Sequence, residues 1–404
     1  MSLLQLSSVG FLVFLLIIWL LVFTFKKSDE RILGWTPLII LLFVVVIFSW
    51  WINNLALQWV LIEATTLFGA ILISLSKTEK SIDTAWKFLL LNSFGLGLAF
   101  IGILFISYGS AEKPSHGLNA ADIINRIHSH ENPFVEVGIW LAVFGYSAKL
   151  GLFPNHFWVS DTYAESPSQI SSLLASFLPV SVVIAILPFI DMDRHFVSEH
   201  FKASTGLMSF GFLTMVYSLF TMIHTNDLRR LSALIALFHS GGLAILLYLK
   251  PDDKIIYYSL AGNVIIKTLL FTCMGILRID LGSRTLSEVD FNNGIHKSSL
   301  LLFTIALGMS FILPFSPFFV FDLLIVRSAM ESGNYFLILV PIMGVISFVI
   351  SLHKILPLFM IQNRDFKSDD KKVLVTRINI TYILLLFSVS IGILGLYQIL
   401  EGSL

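Results

Sequence analysis

Apolar windows close to the ~20 residues that cross a bilayer recur along almost the whole chain. They fall at about 3–25, 32–52, 55–76, 84–108, 135–154, 171–190, 205–224, 231–249, 255–277, 299–330, 334–360 and 376–399, leaving no room for a soluble domain. The pattern predicts an all-α polytopic membrane protein with about twelve transmembrane helices. Composition agrees: 56% of the 404 residues are hydrophobic and 13% are charged, and mean hydropathy is +0.86. The window from Val9 to Phe25 has no basic flank before it and no small-residue cleavage site, so it reads as a retained span rather than a signal peptide. The longest connection, Gly109 to Phe134, is polar and carries His116, His128 and His130 without the spacing of a metal site; it reads as a solvated loop.

Several function classes are excluded early. Net charge is zero, which gives no footprint for nucleic acid. The single cysteine, Cys273, permits neither a disulfide framework nor a cysteine metal centre. The sequence has no GxGxxG, P-loop or iron–sulfur cysteine motif, so no catalytic redox chemistry is expected of this chain alone, and no cofactor.

Residues 135 to 190 concentrate the unusual chemistry. Lys149 lies deep in an apolar run that breaks at Pro154, continues as Asn155-His156-Phe157-Trp158, and gives way to a polar patch, Asp161 to Gln169. A lysine in hydrocarbon is a functional-site hypothesis by default. Proline cannot continue the helical hydrogen-bond ladder. A break at membrane depth survives only when buried in protein or lining a hydrated cavity.

Basic residues set an expected orientation. Alternate connections hold sixteen Lys and Arg in one set (including Lys77, Lys80, Arg229, Arg230 and Lys297) and six in the other (Lys113, Arg126, Arg194, Lys202, Lys250, Lys254). The richer set faces the cytoplasm by the positive-inside rule, which puts both termini outside. Two groups of five spans each carry a proline break in the fourth, at Pro154 and at Pro314 with Pro317, which predicts an inverted repeat. The expected divisions are 1–31, a flanking helix; 32–203 and 204–361, the two five-helix repeats; and 362–404, a C-terminal helix.

With loop and window-end charges set aside, the ionisable groups inside the windows are few: Glu63, Lys149, His239, Lys267, Asp322 and His353. An unpartnered charge there costs ~2.5–3.5 kcal/mol even on the lenient insertion scale, so Glu63 needs a partner, and Lys149 is the first choice. A buried ion pair can be structural, but charged centres spread over both halves suit proton movement better. Burial disfavours the charged form of such groups and an opposite charge favours it, so a variable separation loads and releases a proton. Each charge crossing the membrane is worth ~2.3 kcal/mol per 100 mV. Arg327 and Lys354 sit near helix ends, where they can snorkel or pair.

Glu63-Ala-Thr-Thr66, Gly145-Tyr-Ser-Ala-Lys149-Leu-Gly151, Phe153-Pro-Asn-His156-Phe-Trp158, Asp227-Leu-Arg-Arg-Leu-Ser-Ala233, Lys267-Thr-Leu-Leu-Phe271 and Pro314-Phe-Ser-Pro-Phe-Phe319 followed by Asp322 together resemble the proton-conducting antiporter-like membrane subunits. These occur in respiratory complex I, Mrp antiporters and hydrogenase-4 type complexes. The resemblance runs from about Trp50 to Pro357 and is strongest to hydrogenase-4 component F. It implies a relay of Glu63, Lys149, His239, Lys267 and Asp322, with His156, Asn263 and His353 as accessory candidates, moving H⁺ or Na⁺. It also implies other membrane and peripheral subunits as partners and a bacterial or archaeal cytoplasmic membrane as the location. Departures are Asn263 and Ala175 where relatives often place a titratable residue, Gln169 in place of a proline, and about two fewer spans than family members carry. The alternatives are a cation/proton antiporter or inorganic-carbon uptake subunit without redox chemistry, and a non-conducting scaffold.

Overall fold

The computed structural model describes residues 35–110, 118–127, 132–195, 202–249, 251–283, 285–289, 295–362 and 368–400. The first window, 3–25, lies outside these residues, as do His116, His128 and His130. Among the described residues the chain is helical without strands. The helices are α1 (Thr36–Trp51), α2 (Leu55–Ile73), α3 (Glu79–Gly109), α4 (Ala120–Ile127), α5 (Pro133–Leu150), α6 (Phe157–Glu165) and α7 (Ser168–His195). After them come α8 (Ala203–His224), α9 (Leu228–Leu249), α10 (Asp253–Leu281), α11 (Lys297–Phe311), α12 (Pro317–Ser332), α13 (Leu339–Ile355) and α14 (Ser368–Leu400). Eight helical stretches among the described residues are long and apolar enough to cross a membrane, and α1 and α11 are shorter apolar helices.

Local sequence explains the boundaries. Asn54 accepts from the Ala56 and Leu57 amides to start α2. Thr78 and Ser81 form a reciprocal capping box on α3. Asp227 accepts from the Arg229 amide at 2.8 Å to start α9. The expected solvated loop after Gly109 needs correction: Ala120–Ile127 is helical, because Ile123 and Ile127 bury one face of it.

Three helices form the interior. The most apolar stretch is 83% buried in α7 and 94% buried in α9 and in α10, against 28–39% for the spanning helices α2, α3, α8, α13 and α14. The outer helices turn large apolar side chains outward, Phe94, Phe220 and Leu386 among them. Helices apolar all round are stable in that position only against lipid or other protein. Glycines allow the helices to touch at the backbone. A Cβ at Gly138 of α5 would lie 2.7 Å from the Gly102 carbonyl of α3, and one at Gly241 of α9 would lie 2.6 Å from the Gly211 carbonyl of α8.

Candidate functional site

Both proline breaks are built from ordinary caps. Gly151, at φ +81°, ends α5 in the left-handed region. The freed Phe153 amide donates to Thr214 Oγ1 of α8 at 2.8 Å, and Asn155 donates to the Leu91 carbonyl of α3. Ser316 caps α12, with Pro317 in its first turn. Phe315, the residue before that cap, holds φ +70°, a strained value for an aromatic residue. Its carbonyl is crossed by Gly392 of α14, where any side chain would collide.

Lys149 occupies the last turn of α5, where the helix C-terminus favours a cation. It is buried, and its Nζ donates to Thr66 Oγ1 of α2 at 2.7 Å while lying 5.0 Å from the Phe88 ring centroid. Glu63 sits one turn earlier on α2 and accepts from Ser93 Oγ of α3 at 2.5 Å; its other oxygen is buried without a protein partner. The expected direct Glu63–Lys149 ion pair is therefore replaced. Thr66, three residues beyond Glu63 on the same helix face, takes the ammonium, and the carboxylate stays within electrostatic range of it.

The second cluster lies where α7, α9 and α10 meet. Lys267 is fully buried, with Nζ 3.4 Å from Ser240 Oγ of α9. Asn263, one turn away, donates to the Ser176 carbonyl of α7, and Ser176 and Thr268 hydroxyls are 3.0 Å apart. Beside Ser240, His239 places Nε2 3.0 Å from the Ser310 carbonyl of α11, and its ring stacks on Phe318 with centroids 3.8 Å apart. Nδ1 has no protein partner. His239 and Asp322 line one small cavity with space for about one water. The polar groups thus run Glu63, Thr66 and Lys149 in one cluster, and Ser176, Thr268, Asn263, Lys267, Ser240, His239 and Asp322 in the other.

The accessory candidates separate. His156 is buried at the first break, packed by Phe157 and Tyr217 with ring centroids 4.2 and 3.9 Å away, and neither nitrogen has a protein partner. His353 is exposed at the end of α13, away from the buried clusters. Lys354 donates to the Ile223 carbonyl at the end of α8, and Arg327 pairs with Glu331, as their places near helix ends suggested. The hydroxyls of Thr66, Ser93 and Ser240 carry contacts that charge counting does not single out; Thr66 stands at helical spacing from Glu63 inside the quoted motif, Ser240 adjoins His239, and nothing local marks Ser93.

Apolar outer helices with ionisable groups turned inward define an integral membrane protein. The chain belongs to the family described as NADH:quinone oxidoreductase/Mrp antiporter, TM, whose profile matches residues 52–351. It is 30% identical over 197 residues to the hydrogenase-4 component F homolog of Methylacidiphilum infernorum (isolate V4), covering 47% of this chain and 40% of that protein. It spans between 40% and 62% of the length of four curated relatives it matches. The fold is shared with a chain of the archaeal membrane-bound sulfane sulfur reductase (TM-score 0.79, 20% identity, 92% of this chain and 75% of that one). It is shared too with a chain of the Mrp complex from Dietzia sp. DQ12-45-1b (TM-score 0.75, 14% identity, 98% and 80%). The resemblance read from the motifs holds at the level of the family.

Proposed function

We propose that this chain is a proton-translocating subunit of a multi-subunit membrane complex, with Glu63, Lys149, Lys267, His239 and Asp322 as its relay. One observation carries the reading: two lysines are buried completely, each held by a single hydroxyl rather than by a carboxylate. A structural ion pair fixes its charge. A lone hydroxyl serves either form of the amine, accepting from an ammonium and donating to a neutral amine. The side chains therefore tolerate loading and unloading. Relatives include a hydrogenase-4 component F homolog and NADH-quinone oxidoreductase subunits, which favours a redox-driven complex. The Mrp likeness supports the second reading, a cation/proton antiporter subunit.

Within this reading the chain has about twelve spans in two inverted five-helix repeats, 32–203 and 204–361, flanked by 1–31 and 362–404, with the lysine-rich face in the cytoplasm. The partners are membrane and peripheral subunits, and the chain needs no cofactor of its own. The test is ion movement by the intact complex in sealed vesicles with Glu63→Gln and Lys149→Ala. Both should lower it strongly without loss of assembly, and unchanged movement in both would end the proposal. Identifying co-purified partners separates the two readings: quinone- or hydrogenase-type subunits favour the first, antiporter subunits the second.

A further inference from the structure

We propose a cation site on the less basic face, in a chamber between α2, α7 and α10, that takes Ca²⁺ through oxygen ligands. The chamber has a volume of about 190 Å³ and lies where the α1–α2 connection, the start of α4, the end of α7 and the start of α10 meet. It is separate from both ionisable clusters, since none of Glu63, Lys149, Lys267, His239 and Asp322 lines it. Asp191 of α7 and Asp253 of α10 reach it from different helices, and Asn53 adds an amide and Tyr257 a phenol. No lysine or arginine lines it. Arg194, three residues beyond Asp191, donates instead to the Tyr248 and Leu249 carbonyls.

Carboxylates gather on many surfaces; two buried oxygens mark this place. Gln58 is 4% exposed and lines the chamber, and its Nε2 donates to the Ser49 carbonyl at 3.0 Å. A carbonyl only accepts, so the amide nitrogen must face Ser49 and Oε1 must face away from it. Oε1 accepts from no described residue and opens on the chamber. Pro188, inside α7, has no N–H for the Ile184 carbonyl four residues earlier, and both residues line the same wall. Both oxygens are acceptors without their usual donors, next to carboxylates and away from any basic side chain. Carboxylate, amide and backbone oxygens, with waters in the remaining places, are the ligand set of Ca²⁺, whereas Mg²⁺ holds to a tight octahedron and keeps most of its water. Two carboxylates balance a charge of +2. So few place the affinity with extracellular calcium modules, at Kd ~10⁻⁴–10⁻³ M. The bound ion joins the α1–α2 connection to the outer ends of α7 and α10, the helices that carry Ser176 and Lys267.

The experiment is equilibrium binding of radioactive calcium to the purified, chelator-treated complex, counted per copy of this chain. Asp253 is exposed, so Asp253→Asn should assemble normally, and it should lose one site or weaken it several-fold. Gln58→Met keeps the length of the side chain without its acceptor and should weaken the same site. Added Ca²⁺ should raise the melting temperature of the wild-type complex in proportion to the logarithm of its concentration once the site is saturated, and less in either variant. Tb³⁺ in place of Ca²⁺ should luminesce on excitation of Trp50 and Tyr257, which line the chamber, and excess Ca²⁺ should extinguish the signal. Glu63→Gln and Lys149→Ala should leave calcium binding unchanged, so the site and the relay can fail separately. Equal calcium binding by wild type, Asp253→Asn and Gln58→Met, or displacement of Ca²⁺ by equimolar Na⁺ or Mg²⁺, overturns the proposal.

Discussion

Thr66 rather than Glu63 receives the Lys149 ammonium, and that choice of partner changes what the buried amine can do. A carboxylate in contact would hold the lysine charged. The hydroxyl holds it in place in either state, while Glu63, pinned by Ser93, is free at its second oxygen. Thr66→Val removes the hydroxyl at nearly constant shape. A hydrogen bond to a charged group is worth ~1.5–3 kcal/mol, so ion movement should drop several-fold and thermal stability should fall. Thr66→Ser should restore both, as flux in vesicles and a melting curve will read. Ser93→Ala should impair flux less than Glu63→Gln, because the carboxylate itself remains.

At the scale of elements, the broken helices depend on backbone conditions that only certain residues meet. Gly151 sits at φ +81° and faces Val159 closely, so Gly151→Ala adds left-handed strain of ~1–2 kcal/mol and a clash. It should lower the melting temperature and misplace Lys149, two residues before it, reducing flux even in the protein that still assembles. Gly241→Val pushes α9 away from the Gly211 carbonyl of α8. Since α9 carries both His239 and Ser240, loss of that contact should cost assembly first, visible as reduced yield of the complex on size exclusion. Overpacking of this kind costs ~1–3 kcal/mol or more. Arg230 pairs with Asp161 at 2.8 Å, and Arg229 donates to the Ala164 carbonyl, tying α6 to the start of α9. The Arg230 pair is half exposed and contributes little to stability; Arg229, buried, matters more to how α6 is held.

For the whole molecule, the testable property is sidedness. Cysteines at Lys80 and Lys254 should label from opposite sides of intact vesicles, Lys80 from the cytoplasmic side; labelling from one side would break the proposed orientation. Much of the architecture was legible in the chain. Repeated apolar windows needed only the thickness of a bilayer to be read as helices. Pro154, Pro314 and Pro317 stand at the breaks, where the missing donor is no loss, whereas Pro179 and Pro188 are carried inside the continuous α7. Lys149, Lys267 and Asp322 stood out because charge is scarce in such windows. The loop after Gly109 hid a helix, since eight residues give too short a period to read. His353, an accessory candidate by its place in a window, is exposed, because a window does not tell which face of a helix points inward.

Sequence by itself determined the solvent: a chain this apolar, cut into bilayer-length pieces, folds only as helices, because lipid offers backbone groups no partner. It also determined which few positions carry charge. Tertiary structure decided who meets whom. Helix packing brought Lys149 to Thr66, set Ser240 against Lys267, and put His239 and Asp322 on one cavity. Those contacts join residues far apart along the chain, and their geometry depends on how glycines let particular helices approach, which no local period encodes.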